Sequence, residues 1–156
     1  MRPTVRSVLL VTVALALGPA CGKDKKSGDE AGTLGSKPQV TVPKGKPPTT
    51  LQKKDLIVGT GPEAATGHKV SVQYVGVAYS TKKEFDASWK RGQPFSFALG
   101  EGNVIKGWDQ GVPGMKVGGR RKLVIPPDLA YGPSGYPPAI APNETLIFVV
   151  DLVSVS

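Results

Sequence analysis

Few residues in this chain could carry covalent or metal chemistry. The single cysteine, Cys21, allows neither an internal disulfide nor a cysteine-based metal site. The single histidine, His68, sits in the polar stretch Thr66-Gly67-His68-Lys69 and reads as solvent-exposed, without a ligand role. There is no Gly-x-Ser-x-Gly turn, no Walker loop, no paired histidines and no cysteine beside a base. Gly118-Gly119 is followed by Arg120 and not by a phosphate-binding lysine-serine pair, so it reads as a turn. Hydrolase, kinase and metalloenzyme readings have nothing to stand on, and neither a metal nor a cofactor is expected. What the chain does carry is aromatic side chain beside turns. Tyr74, Phe85, Phe95, Trp108, Tyr131, Tyr136 and Phe148 are seven of its ten Phe, Trp and Tyr residues. Phe97, Leu146 and Val150 read as ordinary core. Trp108 and Tyr131, the latter in a glycine-proline loop, divide evenly between core and binding site.

The elements that must hold these side chains are short. Val70, Val72 and Tyr74 alternate with Ser71, Gln73 and Val75, the period of a half-buried strand. Phe95-Ser96-Phe97 alternates as well. Leu123-Val124-Ile125 is a strand stopped by Pro126-Pro127, and 145–155 places Leu146, Phe148, Val150 and Leu152 on one face. Residues 51–58 add an edge strand. From Asn103 to Val112 the apolar Val104, Ile105, Trp108 and Val112 lie on one helical face, with Asn103 as the expected N-cap and Pro113-Gly114 as the stop. Gly107 weakens that helix by up to about 1 kcal/mol relative to alanine, so packing must hold it. The sum is an α+β domain: an antiparallel sheet of about five strands wrapped around one short helix.

The first fifty residues are of another kind. Residues 1–20 read as a signal peptide: Arg2 and Arg6, an apolar run from Val8 to Leu17, then small residues. That run is too short for a membrane-spanning helix, which needs about 20 residues. Leu17-Gly18-Pro19-Ala20-Cys21 resembles a bacterial lipobox, in which Cys21 is lipid-modified and becomes the first mature residue. Gly18 stands where a leucine is usual, and the alternative is cleavage after Ala20 with Cys21 left free. Residues 21–50, rich in Gly, Lys, Ser, Thr and Pro, read as a disordered tether. The net charge of +8 is spread over all three parts, leaving residues 51–156 only mildly basic. Arg120-Arg121-Lys122 has no nucleic-acid motif around it and is expected at the solvated end of a strand.

From about Leu51 to Ser156 the chain resembles the FKBP-type peptidyl-prolyl cis/trans isomerases. The resemblance is carried by Val72-Gln73-Tyr74-Val75-Gly76, Glu84-Phe85-Asp86-Ala87-Ser88, 94–100, Val104-Ile105-Lys106-Gly107-Trp108-Asp109-Gln110-Gly111, 114–118, 125–132 and Thr145-Leu146-Ile147-Phe148, in the family's order and spacing. Each stretch is weak by itself; the ordered set is specific. It implies a half-barrel around a short helix and an apolar pocket floored by Trp108. Tyr74, Phe85, Phe95, Val104, Ile105 and Phe148 would form the walls. Asp86 and Arg91 would lie on one rim, with Tyr131, Tyr136 and Ile140 on the other. Two departures, Ala139 and the run Ile140-Ala141-Pro142-Asn143, fall in the loop after Tyr131 and bear on substrate preference.

Such a pocket suits isomerisation without a nucleophile. Rotation about a peptide bond faces a barrier of about 18–20 kcal/mol from resonance. The twisted transition state is less polar than the planar amide, so a dry apolar pocket favours it. The Ile105 amide and Tyr131 hydroxyl would hold carbonyls on either side of the proline, and Asp86, beside Tyr74 and Arg91, would orient the polarised carbonyl. The implied partners are proline-containing peptides and folding proteins, with macrolides of the rapamycin type as inhibitors, and no nucleic acid. Membrane contact is expected only through a lipid on Cys21. The alternative is a module that grips proline-containing partners without turnover. A chaperone carrying a client-binding insertion is disfavoured because only thirteen residues separate Tyr131 from Thr145. No stretch of 22–50 suits a helical dimerisation arm, so a monomer is expected.

Overall fold

A computed structural model describes residues 31–156; the signal stretch and Cys21 lie outside the described residues. Six strands form one antiparallel sheet: β1 (Gln52–Ile57), β2 (Lys69–Ala78), β3 (Glu84–Ala87), β4 (Phe95–Ala98), β5 (Arg120–Ile125) and β6 (Leu146–Val155). Their order is β1-β5-β6-β2-β3, and β4 also pairs with β2. The sheet has one strand more than expected because β3 and β4 share the same neighbour. β4 pairs with residues 69–72 of β2 and β3 with residues 75–77. The four-residue 3-10 turn Ser88–Arg91 separates them. Glu84–Ala87 is too short, and too polar at Glu84 and Asp86, to announce itself as a strand by alternation.

The single helix, α1 (Lys106–Gly111), lies on one face of the sheet. Trp108 and Val112 are buried among Val70, Val72, Tyr74, Leu123, Ile125, Phe148 and Val150, as the alternation in β2 and β6 requires. The helix is shorter than expected. Asn103, Val104 and Ile105 precede it, and Asn103 does not cap it; the Ile105 carbonyl accepts the N–H groups of Trp108 and Asp109 instead. Asp109 ties down the approach, its carboxylate accepting from the N–H of Gly100 at 2.8 Å and of Gly102 at 3.0 Å. Gly107 is explained by packing: a Cβ there would come within 2.4 Å of Ile125 Cγ2, so the glycine lets the helix seat on β5.

The opposite face of the sheet also carries apolar side chains: Val75 and Val77 of β2, Tyr79, Val124 of β5 and Ile147 of β6. Residues 31–50 cover it. They form no helix or strand, but Pro38 is buried and Val40 and Val42 pack on both apolar groups. This corrects the reading of residues 31–50 as a tether. Composition alone shows few large apolar groups in the segment, but it cannot show that a sheet face is waiting for them.

Arg120-Arg121-Lys122 is also corrected. The run is the buried part of β5, not a solvated strand end. Arg120, with 0% exposure, forks onto Asp151 (Nε to Oδ1 2.5 Å, Nη2 to Oδ2 2.6 Å) and donates to the carbonyls of Ala31 and Ser36. Arg121 pairs with Asp55 at 2.6 Å and donates to the Gly111 carbonyl, and Lys122 donates to the Thr41 carbonyl. A buried guanidinium needs all its donors met, and residues 31–50, which run as a strap across this face, supply part of that set.

Candidate functional site

On the helix face, between α1 and the β2, β3 and β6 strands, lies a cavity of about 200 Å3. Its position follows from the strand pattern. Tyr74 points inward from the middle of β2, Phe148 from β6, Phe95 from the start of β4, and Phe85 and Asp86 from β3. Gly76 makes room for two of the rings: a Cβ there would lie 2.7 Å from both Phe85 and Phe148. Trp108 closes the floor from the helix. Its indole stands nearly perpendicular to Tyr74 (centroids 5.0 Å) and to Phe148 (5.2 Å), while Phe85 meets Phe148 edge-on at 5.6 Å. Edge-to-face pairs of this kind are each worth about 0.5–1.5 kcal/mol beyond area burial, so the wall is rigid. The indole Nε1–H is buried with no hydrogen-bond partner among the described residues.

One rim is polar and interlocked. The Tyr74 hydroxyl donates to Asp86 Oδ2 at 2.5 Å. Arg91 Nη1 donates to Asp86 Oδ1 at 2.9 Å, and Nη2 to the Tyr74 hydroxyl at 2.7 Å. The 3-10 turn between β3 and β4 is what sends Arg91 back over β3. Burial tends to raise the Asp86 pKa, but hydrogen bonds from Tyr74 and Arg91 outweigh it, and the carboxyl is held below its usual range. Burial, reinforced by the Asp86 hydrogen bond, pushes the Tyr74 hydroxyl up to about 12. Burial, then the nearby Asp86 charge, raises the Tyr131 hydroxyl too. The site therefore holds one fixed anion and two neutral phenols across the ordinary pH range.

The other rim belongs to the segment between β5 and β6. Tyr131, 39% exposed, borders the cavity, and its ring lies 5.7 Å from that of Tyr136, which is 65% exposed. Tyr136 and Ile140 exchange both backbone hydrogen bonds at 2.9 Å, closing a small loop. Of the residues singled out in the sequence, Tyr74, Phe85, Asp86, Phe95, Val104, Ile105, Trp108, Tyr131 and Phe148 line one cavity. Arg91 and Tyr136 stand on its rims without lining it. Ile140 is placed otherwise than expected: only 3% exposed, it packs in the core beneath the loop. Asn103 lines the cavity and was read only as a helix cap. Ser88 was missed; buried, its Oγ accepts from the Tyr74 N–H at 2.8 Å and donates to Gln73 Oε1, fixing the backbone that carries Tyr74.

An open-mouthed aromatic pocket, a rim carboxylate held by a tyrosine and an arginine, and a half-barrel around one helix suit a proline-recognising isomerase. Comparison with known proteins agrees. The family model for FKBP-type peptidyl-prolyl cis-trans isomerase matches residues 61–153, more than half of the chain. An FK506-binding protein of Streptomyces anulatus is 62% identical over 120 residues, covering 76% of this chain and 97% of its own. A probable FK506-binding protein of Corynebacterium glutamicum is 51% identical over 118 residues, covering 76% and 98%. The crystal structure of AtFKBP13 superposes with a TM-score of 0.63 at 41% identity, covering 68% of this chain and 93% of that one. The chain belongs to the FKBP-type peptidyl-prolyl cis-trans isomerase family.

The two bacterial matches also reach into the strap. Residues 51–156 are 106 of 156, about 68% of the chain, so a match covering 76% must include residues before Leu51. The strap is therefore part of what these relatives share with this chain.

Among the described residues no helix is long and apolar enough to cross a membrane, and no cluster of His, Cys, Asp and Glu could hold a metal ion.

Proposed function

We propose that this protein catalyses cis/trans isomerisation of X–Pro bonds in exported proteins by binding the proline ring on Trp108 and twisting the amide out of water. The observation that carries the reading is the Tyr74–Asp86–Arg91 lock at the mouth of an aromatic cavity. X–Pro isomers are nearly balanced, so an enzyme gains by lowering the barrier and not by favouring one isomer. The proline ring is apolar and small enough to enter the cavity. As the amide twists, its carbonyl loses conjugation, and the dry aromatic wall stabilises that less polar state more than the planar one. Asp86 cannot donate a proton, because it is held ionised; its role is electrostatic and geometric, orienting the carbonyl carbon while Tyr74 and Arg91 hold it still. The Ile105 amide at the entry to α1 and the Tyr131 hydroxyl border the cavity and are suited to grip the carbonyls flanking proline.

The matching relatives are FK506-binding proteins, which supports competition by macrolides of the rapamycin type, whose pipecolyl ring mimics proline. The test is catalysis on a short X–Pro peptide, with and without such a macrolide. Macrolide binding without turnover would move the protein to the proline-binding module class.

Export and anchoring belong to the same proposal: segment 1–20 directs secretion, Cys21 carries a lipid, and the mature protein is a monomer at the bacterial cell envelope. Intact mass of the chain from a bacterial membrane fraction should show diacylglycerol on Cys21. An unmodified soluble chain beginning at Cys21 or later would remove the anchor and leave the isomerase reading untouched.

A further inference from the structure

Phe85 and Asp86 are neighbours in β3, yet both line the cavity. A regular strand sends successive side chains to opposite faces, so it cannot present two adjacent residues to one pocket. The register resolves this. Val75 faces Ala87 and Gly76 faces Asp86, but Val77 faces Glu84, which leaves Phe85 as an extra residue in β3. Bulges of this kind bend a strand and re-aim a side chain, and they are common beside active sites. Here the bulge turns Phe85 and Asp86 to the helix face, while Glu84 and Ala87, on either side of it, turn to the strap.

The strap holds the bulge from behind. Val40, Val42 and Trp89 pack on the cluster of Val75, Val77 and Ala87. Lys37 Nζ lies 2.7 Å from Glu84 Oε2, and Lys90 Nζ lies 2.8 Å from Oε1. Lys90 belongs to the 3-10 turn that also carries Arg91, so the turn is pinned to β3 twice: Lys90 to Glu84 and Arg91 to Asp86. One carboxylate thus joins strap, bulge and turn. Partial burial tends to raise the Glu84 pKa, but the two ammonium groups outweigh it and hold the carboxyl below its ordinary range. Lys37 and Lys90 remain 43% and 63% exposed, and pairs this open add little to stability. What a carboxylate shared by three segments can fix is geometry, and a small misplacement of a catalytic group costs rate far more than stability.

We propose that Glu84, clamped by Lys37 of the strap, is a positioning residue for isomerisation: it fixes the bulge that presents Phe85 and Asp86 to the bound proline. The inference rests on the role proposed above for Asp86. The strap is then part of the isomerase, and not only a cover for the sheet's other face.

The test is kcat/KM on a short X–Pro peptide for the full chain carrying Lys37→Gln or Glu84→Gln, with thermal unfolding measured beside it. Each should lower kcat/KM about fivefold in protein whose unfolding moves by only a few degrees. Lys37→Arg, which keeps the charge, should stay within about twofold of the wild type. So should Lys44→Gln, which removes an exposed strap charge outside the Glu84 contact. In an Asp86→Leu background, Lys37→Gln should cost less than about twofold more, since the group it positions is gone. Wild-type kcat/KM in folded Lys37→Gln and Glu84→Gln chains, beside a loss in Asp86→Leu, would overturn this inference and leave the role of Asp86 standing. Wild-type kcat/KM in Asp86→Leu would overturn that role and this inference with it. Equal losses from Lys37→Gln with and without Asp86, or from Lys37→Gln and Lys44→Gln, would reveal a general effect of strap charge and overturn it too.

Discussion

In the proposed mechanism Asp86 is the residue on which the chemistry turns, and its environment makes the prediction specific. Asp86→Leu keeps most of the volume and deletes the charge. It should lower kcat/KM on an X–Pro peptide about tenfold or more, a loss of at least ~1.4 kcal/mol of transition-state binding. The Tyr74 hydroxyl keeps its contact with Arg91, so thermal unfolding should move by only a few degrees. Wild-type turnover in a folded Asp86→Leu protein would remove the role assigned to it. The pH dependence follows from the same groups. The folded Asp86 pKa is depressed, so its contribution to stability is present above the unfolded carboxylate value and is lost as pH falls through the lower folded one. Tyr74 is raised to about 12, so its contribution holds below its unfolded value and is lost as pH rises through about 12. Between about pH 5 and about pH 9 neither group changes charge, and kcat/KM should be flat; a bell centred near neutrality would mean that a proton transfer had been missed. Most of these residues were legible because aromatics beside turns and an acid after Phe85 are unusual company. Ser88 was not, because orienting a backbone N–H leaves no mark in a sequence. Ile140 was misplaced because exposure inside a loop cannot be read from its composition.

At the scale of elements, the short helix and the strap make opposite demands on glycine and on length. Gly107→Ala would raise intrinsic helix propensity by up to about 1 kcal/mol. The added methyl meets Ile125 at 2.4 Å, however, and overpacking typically costs about 1–3 kcal/mol. Chemical denaturation should therefore show a net loss of stability; a gain would mean that α1 does not seat on β5 as described. Deleting residues 31–50 should uncover the apolar strap face and strip Arg120 of two carbonyl acceptors. The loss expected is at least about 2 kcal/mol, since a buried donor left unmatched alone costs about 1–3 kcal/mol. Unchanged stability of the shortened chain would return the segment to a tether. The strands of β2, β5 and β6 were legible because burial on one face writes a period of two into the sequence. β3 and the strap were not. Each is held by what it packs against, and that partner lies far away in sequence.

For the whole molecule, one sheet separates two faces. On the helix side it holds an aromatic cavity with a held carboxylate on its rim; on the other, a strap completes the core. The family assignment makes isomerisation the activity, and the geometry assigns that activity to the first face. The most direct measurement is kcat/KM for cis-to-trans isomerisation of a short X–Pro peptide by the wild-type chain, repeated with saturating macrolide of the rapamycin type and with Trp108→Ala. Trp108→Ala opens a cavity at the floor, and such core deletions cost about 3–5 kcal/mol, so its folding is checked by thermal unfolding beside the assay. The account predicts clear acceleration by the wild type, abolished by the macrolide and by loss of the indole in protein that is still folded. A wild type that binds the macrolide but does not accelerate the peptide would contradict it, as would full activity without Trp108.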